Sequence, residues 1–234
     1  MQRYFVLEKK EDYLALENSD LHHIKNVMRF QIGTKIECVF EKKLYICEIE
    51  NLSSRWVHIL SSVDTKSSST SKVAVAVALV KEQKMDLILQ KLTELGIDEI
   101  IPVKMERSIV KLEQEKLNKR MERWQKICKE AAEQSKRIDI PKISSPLCLS
   151  ELSKLSYDKK FVCSTKNSQK INYKFLQPLN DYSKIFVIGP EGGITDEEEK
   201  SLLSSGYSPV SLGNQIMRVE TAAIYVASVL NFMK

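Results

Sequence analysis

The chain has 234 residues, 43% of them hydrophobic, with 36 lysines and arginines against 31 aspartates and glutamates and a formal charge of +5. It is long enough to bury a real core in one large domain or two small ones, and only mildly basic. No apolar stretch approaches the roughly 20 residues of a membrane span. The N-terminal run Met1-Gln2-Arg3-Tyr4-Phe5 lacks a signal-peptide apolar region, and the five cysteines form no C-x-x-C or zinc spacing. These features point to a soluble cytoplasmic protein with reduced thiols.

Residues 1–70 are expected to form a small β-rich module. Arg3 to Leu7 is a first strand, and Asn18-Ser19-Asp20 can cap a short helix over Leu21, Ile24, Val27 and Met28 that ends by Gly33. Lys35 to Phe40, Leu44 to Glu50 and Trp56 to Ser61 follow as strands, the first two joined through Glu41-Lys42-Lys43 as a hairpin. A barrel-like arrangement is the economical reading. The serine-rich run from Asp64 to Lys72 has no hydrophobic periodicity and reads as a linker.

After it the pattern alternates strand and helix. Val73 to Val80 is a continuous apolar run, as in a strand covered on both faces. A helix from about Lys84 to Gly96 sets Met85, Ile88, Leu89, Leu92 and Leu95 on one stripe, and Glu99 to Met105 is the next strand. A long helix over 113–137 has an apolar stripe through Leu117, Met121, Trp124, Cys128 and Ala131. It carries eight basic against five acidic side chains, an excess that makes an RNA contact plausible. Strands at Phe161 to Ser164, Ile185 to Ile188 and Pro209 to Leu212, with helices at Asp196 to Ser205 and Val219 to Phe232, complete an α/β domain over 71–234.

Five of the seven glycines (Gly189, Gly192, Gly193, Gly206, Gly213) fall between positions 189 and 213. They lie in or between two cassettes, I-G-P-E-G-G-I-T from Ile188 and S-L-G-N-Q-I-M-R-V-E-T-A-A from Ser211, each after a strand and before a helix. Loops at the carboxyl ends of strands are where open α/β sheets bind ligands. The pair reads as a cofactor site. A dinucleotide fold is excluded because Val80-Lys81-Glu82-Gln83 offers no glycine at the first strand–helix turn, and no Gly-Lys-Ser or Gly-Lys-Thr supplies a P-loop. Taken alone, Gly192-Gly193 also fits a plain turn before a Thr195 to Glu198 helix cap.

These residues, with H-H-I-K-N-V-M-R from His22, the run from Lys84 through K-L-T-E-L-G-I-D-E-I-I-P-V to Val103, and R-W-Q-K-I-C-K-E-A-A-E-Q-S-K-R from Arg123, resemble the RsmE-type family of RNA methyltransferases. The resemblance covers nearly the whole chain. It implies a PUA-like β-barrel RNA-binding domain over 1–70 and a SPOUT methyltransferase domain over 71–234, with a trefoil knot that holds S-adenosylmethionine. It implies methylation of uridine N3 in 16S ribosomal RNA of the small ribosomal subunit, by a homodimer that needs neither metal nor membrane. Gly189, Glu191, Gly192, Gly193, Leu212, Gly213, Ile216, Met217 and Thr221 are the expected cofactor contacts. Arg218, Glu220 and Glu191 are the catalytic candidates, Arg218 as stabiliser of the uridinate and a glutamate as proton acceptor. Arg3, Arg29, Arg123 and Arg137 are the expected RNA contacts. Gln215 stands where the family usually shows arginine, and Met217 where it shows leucine. Two alternatives compete: 2′-O-ribose methylation, whose early N-x-G-x-x-R motif is missing, and a non-catalytic ribosome-assembly factor.

Overall fold

The computed structural model of the chain describes residues 1–64, 71–110, 114–166, 169–171 and 173–233, so residues 65–70 of the serine-rich run and the expected helix start at 113 lie outside the described residues. The chain forms two compact units: Met1–Ser67 with Lys129–Ile140, and Ser68–Cys128 with Pro141–Lys234.

The first unit holds β1 (Arg3–Phe5), β2 (Glu8–Lys10), β3 (Tyr13–Ala15), α1 (Asn18–His22), β4 (Lys35–Phe40), β5 (Lys43–Glu48) and β6 (Trp56–Val63), in the sheet order β1-β4-β5-β6-β3-β2. Tyr4, Leu14, Ile24, Ile36, Cys38, Cys47 and Val57 form its core. Glu41 and Lys42 make the β4–β5 turn with φ of 49° and 62°, the left-handed pair a two-residue hairpin needs. The β2–β3 hairpin was not foreseen, because Glu8-Lys9-Lys10 is fully exposed and carries no apolar alternation. The expected cap at Asn18–Asp20 is absent. Glu17 is the N-cap and makes no side-chain cap bond, and Asp20 is turned inward onto the Lys129 ammonium at 2.7 Å. The helix then widens to a π-turn over His23–Val27, and Arg29 closes it at φ 52°, four residues before Gly33.

The second unit holds β7 (Val73–Ala78), α2 (Glu82–Glu94), β8 (Glu99–Lys104), α3 (Gln114–Gln134, whose last turns belong to the first unit), β9 (Lys142–Ile143), β10 (Leu147–Cys148), α4 (Leu149–Leu152), β11 (Lys159–Cys163), β12 (Gln169–Lys170), α5 (Tyr173–Leu176), β13 (Lys184–Ile188), α6 (Asp196–Ser204), β14 (Ser208–Ser211) and α7 (Val219–Phe232). Its eight strands run in the order β10-β8-β7-β13-β11-β14-β12, with β9 also beside β8, and every pairing is parallel.

The alternation in β7 explains the two-sided cover. Val73, Val75 and Val77 face a core built from Met85, Ile88 and Leu89 of α2, Trp124 of α3 and Ala223 and Val226 of α7. Ala74, Ala76 and Ala78 face the smaller core of Leu152, Leu202 and Tyr207. Successive side chains of a strand point to opposite faces, so six residues specify both layers. Helix α2 stops in a Schellman turn, with Gly96 at φ 78° and the Ile97 amide donating to Leu92 O at 3.0 Å. Among the described residues no helix is long and apolar enough to cross a membrane, and all five cysteines are free.

Candidate functional site

Strands β13, β11 and β14 lie together in the sheet and run parallel, so their carboxyl ends reach one edge. The loops leaving them enclose a cleft of about 790 Å³, within the range of about 300–1,000 Å³ typical of small-molecule sites. The first cassette contributes Ile188 to Ile194 and the second Ser211 to Met217. The third wall, Cys163 to Lys166 after β11, was not foreseen from sequence. Its signal was positional: the strand between two ligand-bearing strands must end at the same edge.

The glycines serve distinct ends. At Gly189 a Cβ would stand 2.5 Å from Ile194 Cγ1, and at Gly192 one would stand 3.0 Å from Arg107 Cβ, so both are demanded by packing within the loops. Gly193 adopts φ 76° and donates its amide to Pro190 O at 2.8 Å, closing the turn. Gly213 adopts φ 139°, and nothing lies within 4 Å of the position its Cβ would take. Apart from the bonds between Ser211 and Gly213, no backbone amide or carbonyl of 212–217 has a hydrogen-bond partner among the described residues. That stretch is a donor and acceptor set suited to the edge of a heterocycle.

The first cassette is held from several sides. Thr195 and Glu198 cap each other's amides at 3.2 and 3.0 Å, so the expected capping pattern is present. Glu198 also accepts the Glu106 amide at 2.8 Å, and Arg107 Nη1 donates to Gly192 O at 3.0 Å. Lys84 of α2 reaches Glu191 Oε1 at 2.9 Å and Glu220 Oε2 at 3.6 Å. Partial burial pushes the Glu191 carboxyl up, but the Lys84 ammonium and the loop backbone outweigh it and leave Glu191 below the usual carboxylate range. Glu220 Oε2 is buried and has no hydrogen-bond partner among the described residues. Lys166 pairs with Asp196 and, at 2.9 Å, with Glu199 on the cleft wall. Lys84 and Arg107 were in the sequence motifs or beside them, yet nothing in their spacing marked them as site residues.

Not every expected contact is at the cleft. Leu212 and Met217 are partly buried against the core beneath it, whereas Ile216 is 87% exposed at its lip beside the exposed Gln215. From α7, Val219 and Ala222 face the cleft; Thr221 is exposed and does not line it. Arg218 is the N-cap residue of α7, is exposed, and makes no side-chain bond to the helix end.

The arginines proposed for RNA divide sharply. Arg3 is corrected from an exposed contact to a buried one: it is 5% exposed, with Nε on Glu37 Oε2 at 2.9 Å and Nη1 on the carbonyls of Lys136 and Arg137. Arg137 is likewise taken, its guanidinium 10% exposed and paired with Asp139 at 3.0 Å. Arg123 is exposed but paired with Asp86 at 2.5 Å and Glu82 at 3.3 Å. Arg29 is exposed, and no side-chain partner competes for it among the described residues. The basic excess of α3 is thus partly internal, since Lys129 is also tied to Asp20, Glu17 and Glu133. Among the described residues no group of three or more His, Cys, Asp or Glu side chains is arranged to hold a metal ion.

Comparison with known proteins agrees with this arrangement. Residues 66–231 match the RNA methyltransferase domain and residues 16–59 the RNA methyltransferase PUA domain. The chain is 33% identical over 250 residues to the ribosomal RNA small subunit methyltransferase E of Bacillus subtilis (strain 168), covering 99% of this chain and 96% of that one. A Legionella pneumophila protein solved in complex with S-adenosylmethionine superposes with a TM-score of 0.90 at 30% identity, covering 98% of this chain and 96% of the other. The ribosomal RNA small subunit methyltransferase E of Neisseria gonorrhoeae, bound to the same molecule, gives 0.87 at 27% identity over 100% and 98%.

Proposed function

The chain belongs to the RsmE-type family of RNA methyltransferases, and from that premise we propose that it methylates N3 of a uridine in 16S ribosomal RNA, with S-adenosylmethionine as methyl donor. The single observation that carries the reading is the cleft at the ends of β13, β11 and β14, whose 212–217 main chain, apart from the Ser211–Gly213 bonds, has its polar groups without partners among the described residues. A nucleoside needs such a wall: amides and carbonyls for its ring edge, over an apolar floor supplied here by Leu212, Met217, Val219 and Ala222. Gly213 leaves open the space a side chain would fill. The donor, once bound there, supplies an electrophilic methyl group on a sulfonium.

The rest of the chemistry belongs to the protein. Uridine N3 must lose a proton, and the ring then carries negative charge on its carbonyl oxygens. Arg218, exposed and free of side-chain partners among the described residues, is the candidate cation to offset that charge. Glu220 begins the same helix, with one buried oxygen outside any hydrogen bond, and is the candidate acceptor for the proton. Glu191, ionised and paired with Lys84, acts on the loop more than as a base.

The division of labour follows the family: the β module over 1–70 positions RNA, with Arg29 as its foremost phosphate contact, and 71–234 performs the transfer, on a chain path knotted through the cassettes. The placement of β13 between β7 and β11, with β14 beyond β11, supports such a path. Tyr225 and the 83% exposed Phe232 on α7 favour a homodimer through the second domain. A ribosomal RNA substrate places the activity in the cytoplasm. The deciding experiment is nucleoside mass spectrometry of 16S rRNA from a deletion strain before and after treatment with the protein. Loss and restoration of an N3-methyluridine supports the reading; a 2′-O-methyl product or no change overturns it.

A further inference from the structure

We propose that Lys84 is the positioning residue of the site: its ammonium holds the carboxylates of Glu191 and Glu220 in place, fixing the first cassette against the start of α7. The inference rests on the methyltransferase reading and adds to it a residue outside both cassettes.

Geometry carries it. Lys84 Nζ lies 2.9 Å from Glu191 Oε1 and 3.6 Å from Glu220 Oε2, so a single cation serves two carboxylates from two different elements. Glu220 is the most shielded, with a side chain 14% exposed, whereas those of Lys84 and Glu191 are 31% and 27% exposed and partly solvated. Glu220 Oε2 is buried without a hydrogen bond, so Lys84 is its one charged contact among the described residues. The other charges nearby are committed or lie outside this contact. Glu82 and Asp86 of α2 pair with Arg123, Lys81 acts on Glu191 only at longer range, and Arg218 caps α7 with its side chain in solvent. Arg107 grips the Gly192 carbonyl on the far side of the same turn, so Lys84 and Arg107 fix the cassette tip between them. Like charges sharing a site cannot all remain ionised without a counter-ion. Without Lys84, then, the Glu191 carboxyl takes up a proton more readily or the loop swings away, and the tie to the helix start that carries Arg218 is lost. The direction of the shifts agrees: Glu191 raises the Lys84 pKa, and Lys84 lowers that of Glu191 against its burial.

The test compares the full chain with Lys84→Met and Lys84→Arg, after circular dichroism confirms that each is folded. In ligand-free protein labelled at the glutamate carboxyls, NMR titration should show the midpoint of Glu191 rising in Lys84→Met, and returning in Lys84→Arg. Single-turnover methyl transfer to 16S rRNA should fall between about tenfold and ~10²-fold in Lys84→Met. The ratio of variant to unmodified rate, which cancels the uridine's own titration, should fall further as the pH is lowered. An unmoved Glu191 midpoint overturns the proposal, as does a folded Lys84→Met protein with the unmodified rate. If the unmodified protein itself transfers no methyl group, the methyltransferase reading falls and this inference with it; the titration then reports only on an ion pair.

Discussion

Arg3 and Glu37 face each other across β1 and β4 inside the β module, Nε to Oε2 at 2.9 Å, with side chains 6% and 15% exposed. Stranding one charge of a buried pair typically costs about 3–5 kcal/mol, but Lys136 Nζ, 3.1 Å from Glu37 Oε2, would still face this carboxylate. Arg3→Ala should therefore lower the unfolding free energy by less than about 3 kcal/mol, read by denaturant titration. Arg29→Ala, on an exposed side chain, should leave stability within about 0.5 kcal/mol. It should instead weaken rRNA binding and flatten its salt dependence, because a phosphate contact contributes through counter-ion release. If Arg3→Ala proves stable and deficient only in RNA binding, the structural assignment of Arg3 is wrong.

Gly213 is the position where a side chain most directly tests the cleft. Its φ of 139° suits glycine, and the space beside it is open. Gly213→Val should cost about 1–3 kcal/mol in backbone strain and place a branched side chain in the cleft. Calorimetry should then show loss of S-adenosylmethionine binding while the circular dichroism spectrum persists. Full affinity in this variant would remove the second cassette from the cofactor site.

Arg218→Ala should lower kcat by about two orders of magnitude or more, the scale of losing an oxyanion donor. Because no side-chain bond ties Arg218 to the helix it caps, stability and cofactor affinity should move little. Higher pH should partly rescue the variant, as hydroxide helps form the uridinate. Arg218→Lys should recover only part of the rate, for an ammonium lacks the planar fork. An unfolded Arg218→Ala protein, or one with normal single-turnover chemistry, would assign Arg218 a structural role.

Two carboxylates of the β module should give stability opposite pH dependences. Burial, reinforced by the nearby Asp20, pushes Glu133 up to about 7 despite the Lys129 ammonium and the Phe5 amide. Its folded pKa thus exceeds its unfolded value, so the folded state holds the extra proton and this group's contribution declines as pH rises through that interval. Glu37 is raised by burial but lowered more by Lys136 and Arg3, so its contribution is present above the unfolded carboxylate pKa and is lost on acidification. Urea titrations across pH should show Glu133→Gln flattening the decline toward neutral pH. An unchanged slope would mean that Glu133 is not the titrating group.

The second unit was largely legible. Its apolar runs are long and its periods clear, and Val219–Phe232 matches the expected helix at both ends. The first was less so. Glu8–Lys10 is charged and exposed and so leaves no apolar pattern. Within the site, the glycines marked the loops correctly but not the reasons: Ile194 and Arg107 impose Gly189 and Gly192, and those contacts join residues whose proximity no local pattern encodes. Arg3 illustrates the same limit. An arginine near a chain start reads as exposed, and only the return of Lys136 and Arg137 encloses it.

The discontinuity of the first unit bears on how such a protein could have been assembled. Met1–Ser67 coheres with Lys129–Ile140, a helix end and the residues after it, which the chain supplies some sixty positions later. Cutting at the serine-rich run would strip Arg3, Phe5 and Asp20 of Lys136, Arg137, Glu133 and Lys129. The β module is therefore not a portable cassette that recombination could move by a single crossover. Transplanting it intact requires two segments of the gene, and a host for it must already carry a helix able to take the graft.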